Sequence, residues 1–190
     1  MQLQSTYELH EEHEVIRRGL VLLRALGGRI EKQHAEAAED ARQLMRFFSL
    51  FGDKCHHSKE ERHFFPSVEA ARLPFDQDSI DLLVREHREG REYLEAMQRQ
   101  LELYDKGEAS AGAAFRQQAE AYAEMLDGHI DREEGEILHH AEAAFSAQED
   151  RRLAVEFERL EQQEIGEGVH EEFHALLEDL ERRYAPSEGE

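Results

Sequence analysis

Apolar side chains in this 190-residue chain recur at spacings of three and four, and no stretch alternates apolar and polar positions with period two. Such spacing marks the buried stripe of an amphipathic helix, so five helical segments and no strands are predicted. The first runs from about Leu3 to Ile30 along His13, Ile16, Leu20, Leu23 and Ile30, loosened at Gly27 and Gly28. The second runs from about Ala35 to Val68, with Pro66 a kink or break, because proline removes a helical donor and clashes with the preceding turn. The third follows Pro74, takes Asp76 as its N-cap, and carries Ile80, Leu83, His87, Leu94 and Leu101 on to Tyr104. After a break at Gly107 to Ser110, the fourth spans about Ala111 to Phe145 along Phe115, Tyr122, Leu126, His129, Glu133 and Ile137. The fifth spans about Glu149 to Tyr184.

Short turns between four long helices favour antiparallel neighbours. The fold class expected is therefore all-α: an antiparallel up-down four-helix bundle with an additional C-terminal helix. A single domain covers residues 1–185, with the core bundle at about 5–145, the C-terminal helix at about 149–184, and 186–190 as a frayed tail. The fifth helix has its own apolar stripe (Phe157, Leu160, Val169, Phe173, Leu176, Leu180) and either packs along the bundle or mediates dimerisation, so monomer and homodimer both stay open.

Composition agrees with helix: 39% apolar and 35% charged residues, three prolines and no tryptophan. The net charge of −21 argues against a nucleic-acid partner, whose phosphates demand a basic footprint, and against docking to anionic membrane surfaces. No run approaches the length of a membrane span, no signal-peptide pattern opens the chain, and the single cysteine, Cys55, cannot form an internal disulfide. These features point to a cytoplasmic protein.

Twelve histidines are present, and periodicity sorts them. Two stretches share one pattern: HHSKEERHFF from His56 and HIDREEGEIL from His129, each His-x-x-(Lys or Arg)-Glu-Glu-x-x-apolar-apolar, at an offset of 73 residues. Helical residues four apart share a face, so His56 with Glu60 and His129 with Glu133 point at one spot. A lesser repeat, Glu12-His13 and Glu86-His87, lies at an offset of 74. The separations from His13 to His56 and from His87 to His129 are 43 and 42, which in hairpins with equal arms puts all four imidazoles in nearly one layer. Burying them with two carboxylates and no partner is heavily unfavourable, and a metal resolves that cost.

The other histidines lack this support. His57 with Glu61 repeats the spacing one residue out of register. One residue turns an α-helix by about 100°, so only one register faces inward, and the repeat selects His56 and Glu60. His34 reads as a loop residue. His10, His63, His139 and His140 read as exposed or rim residues. His170 and His174 form an i, i+4 pair on the fifth helix and read as a solvated face, with a second cation site the lesser reading.

Structural zinc prefers a closed tetrahedron of four ligands, often cysteine. Four imidazoles and two carboxylates suit instead a pair of octahedral metals, and this donor set favours iron or manganese over magnesium or calcium. With both carboxylates bridging, each metal keeps open positions for a small molecule such as dioxygen, peroxide or nitric oxide.

The pattern of His13, His56-x-x-x-Glu60 within CHHSKEERHFFP, Glu86-His87, and His129-x-x-x-Glu133 within HIDREE closely resembles the hemerythrin-like (HHE cation-binding) family over about residues 5–145. The resemblance implies a four-helix bundle around two iron ions with an oxo or hydroxo bridge, manganese and zinc remaining open. It makes His13, His56, His87 and His129 terminal ligands, and Glu60 and Glu133 bridging ones. Dioxygen-carrying members place a second histidine four residues on along the third helix, where this chain has Arg91. The expectation is thus a protein binding O2, NO or peroxide as sensor, scavenger or iron store. The alternative is an enzyme turning over peroxide or nitric oxide, or a donor of iron for iron–sulfur cluster repair. The repair members carry a cysteine-bearing N-terminal domain that these residues do not include. Cys55 reads as a small buried hydrophobe before a redox thiol.

Overall fold

A computed structural model describes residues 3–72, 77–166 and 168–184. All of its regular structure there is helical. α1 is Gln4–Glu31. α2 (Ala35–Phe47) continues without a break through two π-helical stretches, Phe48–His57 and Glu60–Phe64, into α3 (Phe65–Ala70). α4 is Gln77–Asp105. α5 (Ala111–Arg132) likewise continues through a π-helical stretch, Glu133–Leu138, into α6 (His139–Ala144). α7 (Ala147–Glu164) and α8 (Val169–Tyr184) complete the described chain.

α1 packs along both α5 and α2, α4 packs along α5, and α2 and its π-helical continuation meet α4. Gly27 and Gly28 do not loosen α1, which runs through both. Gly27 and Gly112 are instead points of close approach. A Cβ on Gly112 would lie 2.8 Å from the carbonyl oxygen of Ile30, and one on Gly27 would lie 3.3 Å from the Arg116 Cα. Pro66 does not break its helix either. It opens the α-helical turn that follows the π-helical stretch, where a missing N–H costs little, and the Phe65 N–H reaches back five residues to the Glu60 carbonyl. The N-cap expected at Asp76 lies outside the described residues.

The fifth predicted helix is two. α7 starts at Ser146, whose hydroxyl accepts from the Glu149 N–H, and it ends before Gly166 and Gly168, both with positive φ (83° and 81°) that side-chain-bearing residues rarely adopt. α7 packs on α1 and on the π-helical part of the second rod, and α8 packs on α1 and α2. Of the expected apolar stripe, Phe157, Leu160, Phe173 and Leu180 are buried, and Val169 and Leu176 pack partly buried against the core. No helix among the described residues is long and apolar enough to cross a membrane.

The interior divides in two. One apolar cluster holds Ile16, Leu20, Leu23, Phe47, Phe48, Phe51, Leu94, Tyr122, Leu126 and their neighbours. The other holds Leu9, Phe64, Phe65, Leu83, Ile137, Leu153 and Phe157. Between these positions along each rod come Glu12-His13, Cys55 to Glu60, Glu86-His87, and His129 to Glu133, a polar layer across an otherwise apolar core.

Candidate metal centre

His13, His56, Glu60, His87, His129 and Glu133 are each 1% exposed or less, and all six lie in that layer. Glu60 faces three imidazoles and Glu133 two, in each case from different helices. Glu60 Oε1 lies 3.3 Å from His56 Nε2 and 3.8 Å from His13 Nε2, while its Oε2 lies 3.4 Å from His87 Nε2. Glu133 Oε2 lies 3.1 Å from His13 Nε2, and its Oε1 lies 3.3 Å from His129 Nε2. The Nε2 atoms of His87 and His129 are 3.2 Å apart. Two sets of potential ligand atoms follow, each within 4.8 Å: His13, His56, Glu60 and Glu133, and His57, Glu60, His87 and His129.

His57 was expected to point away, yet it is buried and belongs to the second set. The reason is helix winding. The chain from Phe48 to His57 is π-helical, with more residues per turn than an α-helix, so neighbours diverge by less than the α-helical 100°. His56 and His57 can then both face inward. Gly52 and Gly135, in the first and third π-helical stretches, weaken the local preference for the α form. The sequence carries no other signal for this winding.

The outer nitrogens are arranged as consistently as the inner ones. Each Nδ1 meets a carboxylate: His13 with Glu134 at 3.2 Å, His56 with Glu12 at 2.8 Å, His57 with Asp53 at 3.4 Å, His87 with Glu61 at 2.8 Å, and His129 with Glu86 at 3.0 Å. With Nδ1–H donating outward, the neutral ring turns its Nε2 lone pair inward, the arrangement a metal-ligating histidine needs. Cations hold these carboxylates in turn. Lys59 donates to Glu12, Arg132 to Glu86, and Arg91 both to Asp53 at 2.7 Å and to Glu61 at 3.0 Å. The position that lacks a fifth histidine is thus occupied by the residue that orients two of the imidazoles. Spacing brought out Glu12, Glu86 and Glu61 but gave none of these carboxylates its supporting part. A signal existed: Glu61 and Glu134 are the second glutamates of the repeated Glu-Glu pairs, and Glu12 and Glu86 precede His13 and His87.

Electrostatics match the geometry. Burial opposes ionisation of Glu60, but His56, His13 and His87 hold it well below the usual carboxylate range. Burial and the neighbouring Glu60 act against Glu133, yet His129 and His13 bring it down to about 2. Conversely, burial disfavours a charged His129, but Glu133 and Glu86 raise it to about 9, and His13 and His87 are raised likewise by their carboxylates. Without a metal, protons on imidazole balance the carboxylates, so metal and protons compete for one layer. His57 departs from the others: burial first, and then the charge of His87, push it down to about 3.

Among the described residues, six buried side-chain atoms have no hydrogen-bond partner: His13 Nε2, His57 Nε2, Glu60 Oε2, both carboxylate oxygens of Glu133, and Arg132 Nε. All but the last face the layer's centre. Buried nitrogen and carboxylate donors left unpaired together form a set that could hold a cation, and their chemistry fits iron, manganese or zinc.

The remaining candidates fare differently. Glu12, Cys55, Glu161 and His170 also cluster, but the Lys59 ammonium already sits on Glu12 and on Glu161 at 3.3 Å, supplying the positive charge. His170 is partly buried: its ring packs 4.9 Å from that of Phe51, and its Nε2 lies 4.0 Å from the Cys55 sulfur. His174, His10, His34 and His139 are exposed, and His63 and His140 are partly so. Burial pushes the Cys55 thiol up, which keeps it protonated and unreactive.

The family model of the hemerythrin HHE cation binding domain matches residues 4–141. Three uncharacterized proteins, one from Mycobacterium bovis and two from strains of Mycobacterium tuberculosis, are each 26% identical over 183 residues, covering 92% of this chain and 68% of theirs. No solved structure matches.

Proposed function

Because the chain belongs to the hemerythrin HHE cation-binding family, we propose that it is a non-haem di-iron protein that binds O2, NO or peroxide as a sensor, scavenger or iron store. The observation that carries this reading is the pair of carboxylates, Glu60 and Glu133, each spanning imidazoles of both halves. Two cations with His13 and His56 on one side, His87 and His129 on the other, and both carboxylates between them would satisfy the unpaired atoms of His13, Glu60 and Glu133. Bound iron would supply a reducible centre with positions for a small molecule.

The protein's own residues hold and insulate that centre. Glu12, Glu61, Glu86 and Glu134 fix ring orientation through Nδ1. The two apolar clusters close the layer above and below, which excludes bulk water and strengthens every charge interaction inside. We read α1, the α2–α3 rod, α4 and the α5–α6 rod as the family's antiparallel four-helix bundle, in a protein of the cytoplasm.

Purified protein should contain about two equivalents of iron, with near-ultraviolet absorption that changes on adding oxygen, peroxide or nitric oxide. Iron-free protein that also fails to take up two equivalents would sink the reading. Turnover of peroxide or nitric oxide is the second reading, favoured by Arg91 standing where carriers have an imidazole. Loaded protein that binds these molecules stoichiometrically but never turns them over excludes it.

A further inference from the structure

We propose that His57 is a fifth imidazole donor to the metal centre, supplied by the second rod in place of a histidine on α4, so that the two metal positions are unequal. The inference rests on the di-metal reading above and deepens it.

An ordinary core histidine satisfies both ring nitrogens, because an unpaired buried polar atom costs about 1–3 kcal/mol. His57 satisfies one. Its Nδ1 meets Asp53, and its buried Nε2 has no partner. The ring lies stacked on His87, with centroids 3.8 Å apart and planes 11° from parallel, so the two imidazoles present their edges side by side. A ligand atom of His57 falls within 4.8 Å of those of Glu60, His87 and His129.

The support behind His57 repeats the pattern behind His56, His87 and His129. Asp53 plays the part of Glu12 or Glu86, and Arg91 that of Lys59 or Arg132, reaching Asp53 and Glu61 at once. One guanidinium therefore braces the carboxylates of two neighbouring rings, His57 and His87. The π-helical winding from Phe48 to His57 explains how His57 enters without expelling His56. The equivalent position in the fourth rod is Ile130, so no sixth imidazole balances it. One metal position is then offered His13 and His56, the other His57, His87 and His129, with Glu60 and Glu133 shared.

The test is an anaerobic titration of chelator-treated protein with Fe(II), followed by calorimetry and by the rise in melting temperature, on wild type, His57→Leu and His57→Gln. Wild type should take two equivalents in two unequal steps. Both variants should keep one step and weaken the other by more than the ~10–100-fold that loss of a supporting carboxylate brings. The metal-free melting temperature of His57→Leu should hold or rise, since an apolar side chain replaces an unpaired imidazole. Two steps unchanged in the variants, or a metal-free His57→Leu that is destabilised while binding iron as wild type does, would overturn the proposal. Fewer than two equivalents in wild type would instead overturn the di-metal reading itself. His57→Gln keeps the test decisive if His57→Leu does not fold.

Discussion

The two halves of the layer repeat one another in sequence but are housed differently. In the first, Lys59 braces Glu12, which orients His56; in the second, Arg132 braces Glu86, which orients His129. Lys59 is fully buried, since α7 lies over it and brings Glu161, while a Glu8 carboxylate oxygen accepts a further hydrogen bond from it at 2.7 Å. Arg132 has 41% of its side chain exposed. One motif thus performs one chemical task with very different energetic stakes. A charge pair sealed from water depends wholly on its partner, whereas an exposed one shares the work with solvent.

The largest expected effect breaks the buried side. Lys59→Met strands Glu12 without its cation; burial disfavours that carboxylate, and Lys59 and then His56 are what hold it down at about 2. A loss of about 3–5 kcal/mol in urea unfolding is expected. A loss below about 1 kcal/mol would mean that α7 does not seal this side.

A second effect comes from pH and falls on the other half. His129 is raised from its ordinary 6.5 to about 9 by Glu133 and Glu86 against the pull of burial. A raised value stabilises the fold fully below 6.5 and loses that stabilisation as pH climbs through about 9. Metal-free protein should therefore lose on the order of 1–3 kcal/mol between pH 6.5 and 9, and His129→Gln should flatten the slope. A wild-type curve flat over this window would refute the charge balance described for the layer.

The smallest effect is the counterpart of the first. Arg132→Met should cost only about 0.5–1 kcal/mol, measured beside Lys59→Met under the same conditions. Equal losses for the two variants would erase the contrast between the halves.

Much of this was legible in the chain. The apolar spacing located the rods, and the repeat singled out the six residues that the fold buries together, because both follow the fixed angular step of a helix. The motif His-x-x-(Lys or Arg)-Glu-Glu even contained its supporting parts, since the cation braces the carboxylate behind its own histidine and the second glutamate orients a histidine of another rod. His57 was misjudged because the α-helical step was assumed where the chain winds more loosely. The single C-terminal helix was drawn through Gly166 and Gly168, whose left-handed backbone divides it.

Outside the π-helical stretches the sequence by itself determined which residues share a face, and with it the all-helical class and the character of the donor set, because those properties depend on neighbours within a turn or two. Only the tertiary structure decided which carboxylate meets which imidazole, that Arg91 braces two of them, and that Lys59 lies beneath α7. Apart from the i, i+4 pairs within one helix, such as His57 with Asp53, those pairings join residues from 26 to 121 positions apart, as with Glu61 to His87 and His13 to Glu134. They exist only once the rods have packed at a particular rotation, and no local spacing records that rotation.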